Sequence, residues 1–270
     1  MASKNGIRRF IDFSQGETTD SWSNFVVLKN EIHLLMKTRL NHRKTAIVTS
    51  ASIILMTVVA GVTMGGGFDS VFEMNPAQLA FNLTTIQSFM HYGMLGWIVI
   101  FICDLIATWG LHRYYREQNR IKANIMGVLR LIYSLILLLA ITQIIKANVE
   151  LSQSTVDYSS VHILLHKFQS IWQFGLILFG FHLLYLAPLV CKKKSVQQVI
   201  SMLLFIAGIG YIISNVTDLF VKDYEQIRPR IEAVFILPMV LGEFGLAVWL
   251  LIKGGREVTL KKKQCVYGSC

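Results

Sequence analysis

The sequence predicts an all-α, polytopic membrane protein: a bundle of six transmembrane helices preceded by a cytoplasmic amphipathic helix. Three observations lead to this fold class. The 270 residues are 53% hydrophobic and only 16% charged, whereas charged residues make up about a quarter of a typical soluble domain. Six apolar runs are each long enough for the roughly 20 residues of a membrane span. Lysine and arginine are concentrated in alternate loops, as in membrane proteins of fixed orientation.

The six apolar runs are the predicted spans, and residues that end helices separate them. The runs cover residues 46–64, 86–109, 123–145, 162–190, 196–221 and 231–252. Three glycines at 65–67 close the first run, three lysines at 192–194 follow the fourth, and Pro229 with its flanking arginines precedes the sixth. We therefore divide the chain into an N-terminal extension (1–42), a transmembrane domain (43–254) and a basic tail (255–270).

The N-terminal extension is predicted to contain a helix that lies in the cytoplasmic interface. Phe25, Leu28, Ile32, Leu35 and Met36 recur at helical spacing, and charged residues occupy the other side. Such a helix either anchors the chain passively or senses a lipid or protein partner. The passive anchor is the simpler interpretation.

The distribution of positive charge predicts the orientation. Eight lysines and arginines precede the first span, four lie between the second and third, three between the fourth and fifth, and five follow the sixth. Only five lie in the opposite loops: Lys146, Lys167, Lys222, Arg228 and Arg230. By the positive-inside rule, both termini are expected in the cytoplasm. The net charge of +10 is thus explained by topology, with the lipid bilayer as partner and no nucleic acid.

Sequence motifs for catalysis or cofactor binding are missing. The chain has no phosphate-binding glycine loop, dinucleotide fingerprint, nucleophile elbow or paired-cysteine motif. His162 and His166 have the spacing of two metal ligands on one helix face, but Lys167 adjoins them and interfacial hydration explains them better. We expect no metal and no cofactor, and an enzyme is not the favoured interpretation.

Among the ionisable residues inside the predicted spans, where charges are costly and usually functional or paired, four lie at similar depth. At about 1.5 Å per residue, Asp104 and Arg130 lie about 8 to 10 Å from the cytoplasmic ends of their helices, and His182 and Glu243 about 12 to 14 Å. These four residues are the candidate ligand-binding or proton-binding cluster. Their similar depth predicts contact, with Asp104 pairing with Arg130.

Each member of this cluster also has a simpler interpretation. Asp104 and Arg130 could form an ion pair that only locks two helices, or the arginine could extend to the interface. His182 could be a core histidine bound to a backbone carbonyl. Glu243 lies between Gly242 and Gly245, small residues that leave room for close approach. We expect it to be functional, and to be protonated or hydrogen-bonded to His182.

A second polar set lies in the outer halves of the spans, where an outward-opening cavity would explain it. His166 and Gln173 share one stripe of the fourth span, at the seven-residue spacing that keeps side chains on one helix face. The candidate cavity residues are His91, His166, Gln173, Asn215 and Asp218.

Several stretches of the chain resemble a bacterial family known as domain of unknown function 4386. The most specific are LILFGFHLL (176–184), LLFIAGIGYI (203–212), LPMVLGEF (237–244) and WLLIKG (249–254), with RKTA (43–46), DLIA (104–107) and LRL (129–131) upstream. The resemblance covers about residues 43–254. It implies a six-helix inner-membrane protein and supplies no activity. Family members often carry an acid just after the Gly-Tyr pair, where this chain has Ser214 and Asn215.

Three functional hypotheses follow. The first is an integral membrane protein that binds a small molecule, an ion or a proton in the polar cluster, for transport or sensing. The second is a structural or regulatory subunit without a ligand. The third is an intramembrane enzyme acting on a lipophilic substrate, with His182 and Glu243 as acid and base. An oligomer is compatible with each of them.

Overall fold

The computed structural model describes residues 42–191, 195–220 and 224–254. Over these ranges the chain is helical apart from short turns. In chain order the helices are α1 (His42–Thr63), α2 (Pro76–Phe81), α3 (Leu83–Tyr115), α4 (Arg120–Glu150), α5 (Tyr158–Val190), α6 (Ser195–Phe220) and α7 (Tyr224–Lys253).

Six of these helices, all except α2, are long and apolar enough to cross a membrane. These candidate spans are 21 to 33 residues long, against the roughly 20 that a bilayer requires. The predicted fold class, an all-α multi-pass membrane bundle, is confirmed. The predicted interfacial helix before residue 42 and the tail 255–270 lie outside the described residues, and the proposed domain division stays a prediction.

The helix ends differ from the sequence prediction where helices continue beyond the apolar runs. α1 ends at Thr63, just before the three glycines, as expected, but a π-helical turn (Met64–Phe68) and a 3-10 turn (Asp69–Glu73) follow it. Buried Phe68 and Phe72 fix this segment against the bundle. Likewise α7 begins at Tyr224, so Pro229 lies within it and not before it. Hydrophobicity marks the part of a helix in hydrocarbon and misses its polar turns.

The short helix α2 is an element that the sequence analysis missed. Its N-cap Asn75 accepts a hydrogen bond from the Gln78 backbone at 2.9 Å, and the Gln78 side chain accepts one from the Asn75 backbone at 2.9 Å. Pro76 occupies the first helical position, where its missing N–H costs nothing. This capping box was a readable signal.

The long helices pack mainly against their neighbours in the chain, from α3 through α7. α5 and α6 cross closely at two glycines. A Cβ added to Gly180 would lie 2.7 Å from the Gly208 carbonyl oxygen, and one added to Gly208 would lie 2.8 Å from the Gly180 oxygen. Only glycine allows this backbone approach. The crossing brings Phe179 against Tyr211, beside the candidate site.

Candidate functional site

An ion pair between α3 and α4 forms the centre of the candidate site. The Nη2 atom of Arg130 lies 2.6 Å from Oδ1 of Asp104, and Nε of Arg130 donates a hydrogen bond to the same oxygen at 2.8 Å. Both side chains are buried, with exposures of 1% and 0%. The pair expected from the sequence is present, and Arg130 does not extend to the interface. Removing either partner would leave an uncompensated buried charge.

Ser134 completes the coordination of the carboxylate. It lies one turn beyond Arg130 on α4, and its hydroxyl oxygen is close to Oδ2 of Asp104 and 2.9 Å from the Arg130 carbonyl oxygen. The carboxylate is the stronger acceptor, so we assign the single hydroxyl proton to Oδ2 of Asp104. Both oxygens of Asp104 therefore accept hydrogen bonds, as a buried carboxylate requires. The sequence analysis missed Ser134, although its i+4 spacing from Arg130 placed it on the same helix face.

His182 connects α5 to the pair as a neutral imidazole. Its Nδ1 atom lies 2.9 Å from the Met126 carbonyl oxygen and its Nε2 atom 3.2 Å from Nη1 of Arg130. Arginine can only donate, so Nε2 must accept, and the proton must reside on Nδ1, which donates to the carbonyl. His182 is 0% exposed. The simpler interpretation of His182, a core histidine bound to a carbonyl, matches this geometry.

An aromatic shell covers one side of the guanidinium. The centre of the Phe179 ring lies 5.1 Å from the Arg130 Cζ atom, within the distance of a cation–π contact. Phe179 in turn contacts Tyr133 on α4, at 4.9 Å between ring centroids, and Tyr211 on α6, at 5.4 Å. This shell keeps the ion pair in a medium of low polarity, which strengthens its internal attraction.

Glu243 on α7 reaches the same region, but its carboxyl group is not held by hydrogen bonds from the described residues as that of Asp104 is. It lies within electrostatic range of Arg130 and Asp104, and its carboxyl forms no hydrogen bond with any residue in the described ranges. The expected hydrogen bond to His182 is wrong, because both ring nitrogens of that histidine are occupied by Met126 and Arg130. Gly242 lets α7 approach the α6 backbone: its Cβ position lies 3.2 Å from the Leu204 nitrogen.

The guanidinium of Arg130 retains unused donors. Nε and Nη2 both face a single oxygen of Asp104, and Nη2 has no hydrogen bond of good geometry within the described part of the chain. A buried donor without a partner costs about 1 to 3 kcal/mol. A water molecule, a carboxyl group or a bound ligand would remove this cost.

The outer candidates divide into two groups. Gln173 on α5 donates from Nε2 to Oδ2 of Asp218 on α6, and buried Asn215 lies one turn away on α6, donating to the Tyr211 carbonyl at 2.8 Å. His91 and His166 are instead exposed on the helix surfaces. The structure thus brings three of the five predicted residues together and leaves both histidines apart from them.

His91 and His166 make only local contacts. The Nδ1 atom of His91 lies 2.7 Å from the Gln87 carbonyl oxygen on its own helix, and the ring of His166 lies 4.4 Å from that of His162. Within the described ranges, no three His, Cys, Asp or Glu side chains come close enough to hold a metal ion.

Comparison with known proteins identifies the family of the chain. The family described as Domain of unknown function (DUF4386) matches residues 48–254. The chain belongs to this family. All four residues of the candidate cluster lie inside the match, and the N-terminal extension and the tail lie outside it.

One similar protein comes from an archaeon. An uncharacterized protein of Archaeoglobus fulgidus is 29% identical over 164 residues, which cover 60% of this chain and 84% of that protein. No solved structure matches. The family match and the six membrane-length helices together support an integral membrane protein of an uncharacterised family.

Proposed function

We propose that this DUF4386 protein binds a proton, or a small cation in its place, at Glu243, as part of a transport or sensing function. The observation that carries this proposal is the contrast in bonding between two acids of one cluster. Asp104 is held by Arg130 and Ser134, whereas Glu243 has no hydrogen-bond partner among the described residues.

The charge balance supports a cationic ligand. Asp104 and Arg130 neutralise each other, and the hydrogen bonds of His182 require its neutral form. Tyr133 and Tyr211 are neutral at ordinary pH. An ionised Glu243 would therefore leave one net negative charge within the membrane, a costly state that binding of a proton or cation would relieve.

Infrared difference spectroscopy on the protein in lipid nanodiscs tests this proposal. A carboxyl C=O band should titrate between about pH 5 and pH 9 and should be absent from Glu243→Gln. The matched control is Glu117→Gln, which removes an exposed carboxylate from the turn between α3 and α4 and should leave the band unchanged. A titration that persists in Glu243→Gln would refute the assignment.

A second candidate function is a structural or regulatory subunit without a ligand. It is favoured by the network of Asp104, Arg130, Ser134 and His182, which ties α3, α4 and α5 together. Both ring nitrogens of His182 are occupied by protein groups, which also favours a structural histidine over an acid–base residue. If Glu243→Gln destabilises the fold as strongly as loss of Asp104 does, the structural function is the better one.

We also propose that the protein resides in the inner membrane with both termini in the cytoplasm. The support is the charge asymmetry, twenty lysines and arginines on one side against five on the other. In intact cells a membrane-impermeant thiol reagent should leave Cys265 and Cys270 unlabelled, and labelling of either would reverse the orientation.

A further inference from the structure

We propose that Glu243 exchanges its proton or cation with one side of the membrane only, through a hydrated path along α6. The path is defined by Tyr211, Ser214, Asn215 and Asp218, the α6 stripe. This inference rests on the proposed function and adds to it the route of access and its direction.

The spacing of the α6 stripe places its residues on one helix face. Positions 211, 214, 215 and 218 follow the i, i+3, i+4, i+7 pattern, so the four residues lie above one another. At about 1.5 Å per residue they cover about 10 Å along the helix axis. Polar residues at this depth normally face a protein partner or water.

The inner end of the α6 stripe reaches the charged cluster. Tyr211 lies within electrostatic range of both Glu243 and Arg130. Its ring packs against Phe179, with 5.4 Å between the centroids, and Phe179 covers the guanidinium of Arg130. A proton carrier at Tyr211 would therefore lie within electrostatic range of Glu243.

The outer end of the α6 stripe lies close to the end of the helix. Asp218 precedes the last α6 residue, Phe220, by two positions and is half-buried. Its carboxylate accepts a hydrogen bond from Gln173. An acid that is partly accessible here can take a proton or cation from the adjoining water and pass it inward.

The middle of the α6 stripe contains an unsatisfied group. The Ser214 hydroxyl oxygen is buried and has no hydrogen-bond partner in the described part of the chain. Asn215 uses its Nδ2 group on its own helix, at 2.8 Å from the Tyr211 carbonyl oxygen. Buried polar atoms of this kind are usually satisfied by water, so the α6 stripe is expected to hold water.

The opposite direction along α6 is apolar. Below Tyr211 this helix presents Ala207 and Leu204, both with 0% exposure. The next polar residue on that face, Ser201, spends its hydroxyl on the Ala187 carbonyl at 2.8 Å. Ala207 and Leu204 have no group to bind water or a proton. Buried Gln197, whose Oε1 atom has no hydrogen-bond partner in the described part of the chain, lies beyond Ser201. The apolar layer separates Gln197 from Tyr211 along α6, so we expect access from the side where α6 ends.

Cysteine accessibility tests the route. The four native cysteines are replaced by serine, and a single cysteine is placed at Ser214, with Ile213 as matched control. Ile213 is the neighbouring residue, and 42% of its side chain is exposed on the outside of the bundle, where lipid would cover it. A small cationic methanethiosulfonate reagent is then applied to the protein in sealed vesicles of known orientation.

Ser214→Cys should react at least about tenfold faster than Ile213→Cys, because thiolate formation requires water. It should react only when the reagent is on the side where α6 ends. Equal rates at the two positions, or equal labelling from both sides, would overturn the proposal. Asp218→Cys, at the mouth of the path, is the second variant if Ser214→Cys fails to fold, and the same comparison with Ile213→Cys applies.

The Glu243 titration separates this inference from the proposed function. If the carboxyl band titrates but Ser214→Cys and Asp218→Cys are as unreactive as the control, the α6 route is wrong and proton binding stands. If Ser214→Cys is labelled quickly but no Glu243 band titrates, both are overturned.

Discussion

Asp104 and Glu243 are two acids in the same intramembrane cluster, and their surroundings differ. Asp104 accepts hydrogen bonds on both oxygens, from Arg130 and Ser134, and is 0% exposed. Glu243 is only partly buried, and it interacts electrostatically with the same guanidinium without a hydrogen bond to it. A fully bonded buried acid is fixed in one protonation state, whereas a loosely held one can change its state at small structural cost. The comparison predicts that Asp104 contributes to stability, and it supports our proposal that Glu243 exchanges a proton or cation.

The largest effect is expected from breaking the ion pair. Arg130→Met or Asp104→Asn should each lower the free energy of unfolding by about 3 to 5 kcal/mol, because each leaves a buried charge or dipole uncompensated. The double variant should recover much of this loss. Chemical unfolding in detergent micelles measures all three, and single variants as stable as the parent would contradict a buried pair.

A smaller loss is expected from Ser134→Ala. This change removes one hydrogen bond to a charged group, which is worth about 1.5 to 3 kcal/mol. The control is Ser52→Ala, which removes a buried hydroxyl bonded only to the Thr49 carbonyl of its own helix, at 2.8 Å. If the free energy of unfolding falls equally in both variants, the hydrogen bond from Ser134 to Asp104 contributes no more than a bond to a backbone carbonyl.

Glu243→Gln should change stability by less than about 1 kcal/mol, since no hydrogen bond with a described residue is lost. The same variant should abolish the titrating carboxyl band. This combination of a retained fold and a lost proton site is the clearest test of the contrast with Asp104. A loss of several kcal/mol would place Glu243 with the structural residues.

Much of the fold was predictable, because the length and hydrophobicity of a run of residues are enough to identify a membrane span. Six apolar runs gave six helices, and only their polar ends were misplaced, as at Pro229. The pair of Asp104 and Arg130 was also predictable, since charges in hydrocarbon need partners. The contacts of Phe179 and Tyr211 were not, because they depend on the close crossing at Gly180. Helix rotation also decided that His182 would bind Met126 and Arg130 and not Glu243.

Asp157 is an acid outside the spans and serves as a water-exposed reference for Asp104 and Glu243. Its substitution is expected to have the smallest effect on stability. It caps α5 by accepting hydrogen bonds from the Ser159 and Ser160 backbones, at 3.0 and 3.3 Å, and from the Ser160 hydroxyl at 2.7 Å. The hydrogen bonds from Ser160 hold the pKa of Asp157 below its usual value. Its folded-state pKa is thus lower than in the unfolded chain, so ionised Asp157 adds stability above about pH 4, and this is lost as pH falls through the folded-state pKa.

Asp157→Asn keeps an N-cap acceptor but removes the titration. The parent should therefore melt slightly above Asp157→Asn near neutral pH, and the two melting temperatures should converge in acid. Thermal unfolding of both proteins across about pH 3 to pH 7 measures this. A difference in melting temperature that does not vary with pH would show that the ionised form of Asp157 adds nothing to the cap.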